Sequence, residues 1–197
     1  MKNILRLTIF LCSLALGLSA SAQTNNLLKN ANSDEGLQFW HVSGNTTVAD
    51  CLSAGKCFSS SQDAFVYQDV EVAESTSPTF AVLIAFSTIE EPNVEAKQLG
   101  HPYLYGYFMN STNLRTAKIT THLNGQEMAS TPPASGQWVR QYGIFKVTEG
   151  TRSIRIFLRS GCPKTASSAV CTSHFRRPGI FLFNSEEEAN AFVSAYQ

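Results

Sequence analysis

The sequence predicts an all-β chain, an antiparallel β-sandwich closed by one short C-terminal helix. Three observations carry that expectation. Strand-like runs bounded by turn residues recur along most of the chain, only one segment has helical periodicity, and no low-complexity tract or long linker divides it.

The strands are read in order. Residues 65–72 alternate, with Val66, Gln68, Val70 and Val72 opposite Phe65, Tyr67, Asp69 and Glu71. The apolar run 80–86 is continuous, as expected of a central strand covered on both faces. A polar interruption over 87–100 follows, then strands at 103–109 and 119–123, the latter ending in the hairpin dipeptide Asn124-Gly125. Further strands are expected at 138–147, 154–158 and 179–183, with a Glu149-Gly150 turn between the first two. Ser185 followed by Glu188 is a capping-box pair, and Ala189, Phe192, Val193 and Tyr196 then share one helical face.

Residues 1–22 read as a signal peptide, with Lys2 and Arg6 before an apolar stretch and Ala20-Ser21-Ala22 at its end. A lipid-anchored leader ending at Cys12 is disfavoured by the bulky Ile9-Phe10-Leu11 before it. The remainder, 23–197, fits a single sandwich domain, exported to the periplasm or the cell exterior. No later stretch approaches the roughly 18 apolar residues a spanning helix needs. The chain has 15 basic and 15 acidic residues, so no basic excess points to nucleic acid or an anionic membrane. Cys51, Cys57, Cys162 and Cys171 form an even set in an exported chain, and their spacing favours bridges 51–57 and 162–171 over a zinc site. Two other connectivities remain open at this level. Asn45-Thr46-Thr47 and Asn110-Ser111-Thr112 match the glycosylation acceptor pattern.

The stretch "NLLKNANSDEGLQFWHVSG", residues 26–44, resembles the opening segment of galactose-binding-like jelly-roll modules, through Leu27, Leu28, Asn30, Glu35, Gly36 and Trp40. The similarity continues through "AFVYQDVEV", "TFAVLIAFST", "GQWVRQYGIFKVTEGTRSIRIFLRSG" and "FRRPGIFLF". Secreted carbohydrate-binding modules and the glycoprotein-recognising domain of F-box proteins belong to this group. The resemblance implies a jelly-roll sandwich, a core role for Trp40, and recognition of carbohydrate or glycoprotein. Many relatives hold a structural calcium between an early acidic residue and a late aspartate. Glu35 suits the first position, but Arg176 and Arg177 stand near the second, which argues against the ion; no other cofactor is expected. Trp138, opening an alternating strand, is also read as structural.

The binding residues expected from the pattern are Tyr103, Tyr105 and Tyr107, about 7 Å apart on one face of a strand. Gly106 between them would let the opposite face approach another backbone. Arg155, Phe157 and Arg159 lie opposite the core-facing Ile154, Ile156 and Leu158; if their face joins the tyrosines, an aromatic and cationic surface results. His122, Arg176 and Arg177 are secondary candidates, the arginines lying near the loop 162–171. No nucleophile elbow, zinc-binding His-Glu-x-x-His, phosphate loop or Cys-x-x-Cys occurs. The four histidines are scattered, and Glu186-Glu187-Glu188 suit a helix N-terminus. The expected function is therefore a secreted noncatalytic module recognising carbohydrate or glycoprotein. The alternatives are an extracellular protein-interaction or structural protein without sugar specificity, and a small secreted hydrolase.

Overall fold

The structure is a computed structural model and describes residues 25–51, 55–73, 79–90, 100–123, 135–165 and 170–196. The expected leader, the Asn124-Gly125 hairpin and most of the 87–100 interruption lie outside those residues. The elements are β1 (His41–Ser43), β2 (Thr46–Asp50), β3 (Lys56–Ser60), β4 (Phe65–Glu71), β5 (Phe80–Glu90) and β6 (Tyr103–Met109). They continue as β7 (Arg115–Thr120), β8 (His122–Leu123), β9 (Val139–Lys146), β10 (Ser153–Arg159), β11 (Thr172–Phe183) and α1 (Glu186–Ala195). Two antiparallel sheets face each other, one ordered β1-β4-β10-β6-β7 and the other β2-β3-β11-β5-β9-β8. The expected β-sandwich with a short C-terminal helix is the observed architecture.

Strand alternation places the core. Val66, Gln68, Val70 and Val72 are buried on the inner side of β4 and just beyond its end, and Ile154, Ile156 and Leu158 are fully buried on β10. Leu83, Phe58 and Phe175 face them from the second sheet within one apolar cluster. On β5, Ala81, Leu83 and Ala85 join this core, whereas Val82 and Ile84 pack in a second cluster with Phe181, Ala189 and Val193. The helix covering the outer face is thus why β5 is buried on both sides. Its N-terminus is capped as expected: Glu188 N–H donates to Ser185 Oγ at 3.1 Å. At its other end Arg140 donates from Nη1 to the carbonyls of Val193 and Tyr196 at 2.9 and 3.0 Å, a cation where the helix dipole favours one.

The opening stretch closes one end of the sandwich. Leu28 and Trp40 are buried, with the Trp40 ring 4.8 Å from that of Phe58. Asn30, in the left-handed region at φ 50°, donates from its amide to the carbonyls of Gly36 and Gln38 and accepts from Glu35 N–H. Its side chain therefore holds the turn that carries Trp40 into the core. Both expected disulfides are present, Cys51–Cys57 and Cys162–Cys171. Among the described residues no helix is long and apolar enough to cross a membrane.

Three strand expectations are corrected. The strand begun at Phe80 continues to Glu90, because the buried hydroxyls of Ser87 and Thr88 run on along β11 rather than into a loop. The last strand starts at Thr172, seven residues before the apolar run, and passes through an irregularity between Arg176 and Gly179. The expected strand 119–123 is two strands in different sheets, since the chain crosses at Thr121, whose buried hydroxyl donates to the Leu104 carbonyl.

Candidate functional site

The face of the five-stranded sheet turned away from the core is built by register. His41 pairs with Tyr67, Tyr67 with Phe157, and Phe157 with Tyr105, so four rings from four adjacent strands form one rung. Their centroids are 4.6, 5.3 and 4.8 Å apart, and the Phe157 and Tyr105 rings are parallel within 4°. Phe157 is only 6% exposed, wedged by the rings around it, so Tyr105, Tyr67 and His41 are the members of the rung that meet solvent. Tyr103 and Tyr107 stand on either side of Tyr105 along β6, edge-on to it at 6.4 and 6.0 Å. The three tyrosines share one face, as the alternation requires, and Tyr103 is the most exposed of them at 39%. Burial pushes the Tyr105 phenol up, against the opposing pull of Arg159, so its hydroxyl stays protonated and able both to donate and accept. A Cβ on Gly106, beneath them, would meet the Arg155 carbonyl of β10 and the Ile119 side chain, so this position admits only glycine without displacement.

Arg155 and Arg159 flank the rung on β10, joining the tyrosine face. Their forks are engaged within the protein. Arg155 donates from Nε and Nη2 to the two carboxylate oxygens of Asp69 at 2.7 and 2.8 Å, and its guanidinium lies 4.8 Å over the Tyr67 ring. Arg159 donates from Nε to Asp63 Oδ1 at 2.7 Å, while Lys164 Nζ is 3.7 Å from Asp63 Oδ2. Hydrogen bonds to Asp69 and Asp63 respectively raise both guanidinium pKa values further. The arginines thus stiffen the face as ion-paired walls.

At the Arg159 end, the face opens into a cleft of about 520 Å³. Tyr103, Tyr105 and Lys118 line one side, and Asp63, Arg159 and the segment Ser160 to Lys164 line the other. Gly100 N–H donates to Gly161 O at 2.8 Å across its floor. A Cβ on Gly161 would run into backbone atoms of Gly100, His101 and Pro102, none of which can rotate away. Gly161→Ala is therefore expected to part these two segments and lower stability by roughly 1–3 kcal/mol, measured by denaturant unfolding.

The secondary candidates lie elsewhere. His122 sits on β8, paired with Tyr142 at the edge of the six-stranded sheet, and not in the sheet of the tyrosines. Arg176 lies over the Trp138 ring at 4.5 Å and over Phe86 at 5.2 Å. Arg177 is 5.5 Å over Tyr196, whose hydroxyl donates to the Arg177 carbonyl. Trp138 is half-buried beneath this cation, in keeping with a packing role. Glu35, the acidic residue suited to an early calcium ligand, is exposed, and the Asn30 amide is engaged in its own turn. Among the described residues, the His, Cys, Asp and Glu groups close enough to share a metal are Cys51, Cys57 and His174, two of them joined as a disulfide.

His174 offers a separate test. It is 8% exposed, hydrogen-bonded through Nδ1 to Ser59 Oγ at 2.7 Å, with Glu90 3.6 Å from Nε2. Burial lowers its pKa, partly offset by Glu90. Between the usual value near 6.5 and the lower folded value, the unfolded chain binds the proton and the folded chain does not. Stability is expected to fall as pH drops below about 6.5. Urea titrations at stepped pH should show this slope, diminished in His174→Gln.

Sequence reasoning placed the tyrosines and arginines but missed Asp63, Asp69, Lys118, Lys164, Tyr67 and His41 as members of the surface. The alternation did put Tyr67 and Asp69 on one face of β4; only the register shows which rings and cations they meet.

No family model matches the chain, and no curated protein matches it. Among solved structures, it is similar to the enzymatically active domain of tailspike protein 4 from bacteriophage CBA120, at TM-score 0.54 and 14% identity. That match covers 80% of this chain and 21% of the other. It is equally similar to the tandem CBM22-1-CBM22-2 domain of Xyn10C from Paenibacillus barcinonensis, at TM-score 0.54 and 12% identity, covering 85% of this chain and 47% of that one. The chain spans well under two thirds of either protein. Two facing antiparallel sheets and these likenesses lead to one conclusion: the chain has an antiparallel β-sandwich fold similar to that of the CBM22-1-CBM22-2 tandem domain.

Proposed function

We propose that the protein is an exported, noncatalytic module that binds carbohydrate, free or on a glycoprotein, on the outer face of its five-stranded sheet. The observation that carries this reading is the aromatic rung His41-Tyr67-Phe157-Tyr105 with Tyr103 and Tyr107 beside it. Sugar rings present flat C–H faces ringed by hydroxyls. An aromatic surface with polar edges suits both, apolar contact coming from the rings and hydrogen bonds from phenols and the flanking ion pairs. The helix packs on the outer face of the opposite sheet. Register fixes the strands carrying the rings, so little ordering accompanies binding. Two acids of this face, Asp63 and Asp69, are tied to arginines, which suits walls better than a general acid and base pair. The predicted leader, the two disulfides and the likeness in fold to the CBM22-1-CBM22-2 tandem domain support the same reading.

The experiment is binding of the purified chain, disulfides intact, to a broad panel of glycans and polysaccharides, with Tyr105→Ala alongside. Selective binding lost in the variant is the expected result. Binding to none of the sugars would overturn the proposal and favour a protein partner. Turnover of a bound glycan, lost on replacing one carboxylate, would favour a hydrolase.

A further inference from the structure

The chain carries equal numbers of acidic and basic residues, yet the cleft does not share that balance. Among the described residues, Lys118, Arg159 and Lys164 line it against the single carboxylate of Asp63. That carboxylate is already divided between two of the three cations, Arg159 at 2.6 Å and Lys164 at 3.7 Å. Lys118 is placed differently. Among the described residues its partner is the face of the Tyr105 ring, 5.6 Å away, and Arg115 similarly lies 4.2 Å over Tyr107. A cation–ring contact leaves most of an ammonium's hydrogen-bonding capacity unused.

Lys164 stands at the rim, its side chain being 82% exposed. Its loop is nevertheless anchored, since Cys162 is bonded to Cys171 and Gly161 N–H donates to the Ser173 hydroxyl at 2.9 Å. The cleft therefore combines an exposed ring, Tyr103, with a cationic rim held in place by strand and disulfide. A neutral sugar needs the ring and hydroxyl partners; the excess positive charge serves it little. An anionic substituent would use both.

Building on the carbohydrate reading of this same face, we infer that the cleft selects glycans bearing anionic groups, uronate carboxylates or sulfate esters. The sugar ring lies against Tyr103 and Tyr105, and its anionic group accepts hydrogen bonds from Lys118 and Lys164. Arg159, held by Asp63, adds field without donating its paired fork. Exposed charge pairs are screened by salt, so the selectivity weakens as ionic strength rises.

The test compares polygalacturonate with its highly methyl-esterified form, which keeps the backbone and removes the charge, and dextran sulfate with dextran. Affinity is measured at low and high salt for the parent chain and for Lys118→Met/Lys164→Met. The expected result is about tenfold or greater preference for one anionic polymer over its neutral counterpart, shrinking with salt and approaching unity in the double variant. Preference confined to the pectic pair assigns the anion as carboxylate, and preference confined to the dextran pair as sulfate; either supports the inference. Equal binding of charged and neutral forms overturns it while the carbohydrate reading stands. An unchanged preference in the double variant overturns the assignment to this cleft. Failure to bind these polymers and every glycan of the broader panel overturns both readings.

Discussion

Replacing Gln141 by leucine is expected to destabilise the protein by about 3 kcal/mol, although leucine has nearly the right volume. Gln141 is completely buried between the sheets. Its amide nitrogen donates to Ser87 Oγ and to the Pro102 carbonyl, and its oxygen accepts from Leu104 N–H at 3.0 Å. Thr121 Oγ1, whose proton goes to the Leu104 carbonyl, lies 3.4 Å from that oxygen. One side chain on β9 therefore satisfies backbone groups at the start of β6, where the strand leaves the cleft. Leucine would strand those groups without water, and an unmet buried polar group costs roughly 1–3 kcal/mol. Some of that cost is relieved by repacking, which is why the total is set near the cost of one to two groups. Thermal unfolding should report a midpoint lowered by roughly 6–12 °C. A variant as stable as the parent would mean that Pro102 and Leu104 find other partners, and that Gln141 does not position β6.

The second large effect is on the rung itself. Phe157→Ala is expected to cost about 3 kcal/mol, the lower end for a buried phenylalanine because this ring lies on a sheet face. The same change should weaken glycan binding by about tenfold or more, though Phe157 itself barely reaches solvent. The reason is support. Tyr105 stacks flat on Phe157 at 4.8 Å, while Tyr67, Tyr107 and Phe65 lean on it at 5.3, 5.9 and 5.7 Å. Removing the central ring leaves the neighbours free to tilt into the space. Phe157→Leu, which refills much of the volume but not the flat contact, should recover most of the stability and only part of the affinity. Calorimetry well below the unfolding midpoint separates the two effects. Full affinity in a folded Phe157→Ala chain would show that Tyr105 holds its orientation alone.

The fold was legible wherever apolar residues alternate or run together. On β4, β6 and β10 a period of two separates the core face from the other, although Phe157 on that other face is itself buried, and the helix announces itself through Ser185 and Glu188. It was illegible where polar side chains are buried with partners supplied from afar. β1, β2 and β3 are rich in Ser, Thr, Lys and His; Thr46 and Ser60 are buried because their hydroxyls meet each other at 2.9 Å across the strand pair. Ser87 extends β5 for the same reason, through Gln141. The site divides along similar lines. Tyr103, Tyr105, Tyr107, Arg155 and Arg159 could be assigned to faces from alternation, and β6 and β10 prove to be direct neighbours. That Arg155 and Arg159 spend their forks on Asp69 and Asp63 depends on partners 86 and 96 residues away, which no local pattern encodes. Lys118 and Lys164, which line the cleft beside them, belong to no local pattern either.

The central claim is that the ringed face of the five-stranded sheet is where sugar binds. Its most direct test is a two-dimensional NMR titration of the labelled chain with whichever glycan binds best, following amides and aromatic side chains together. Perturbations are expected to concentrate on Tyr67, Tyr103, Tyr105, Tyr107, Phe157 and Lys118. Perturbations centred instead on Trp138, Arg176 and the helix, with the tyrosine strand unmoved, would contradict it.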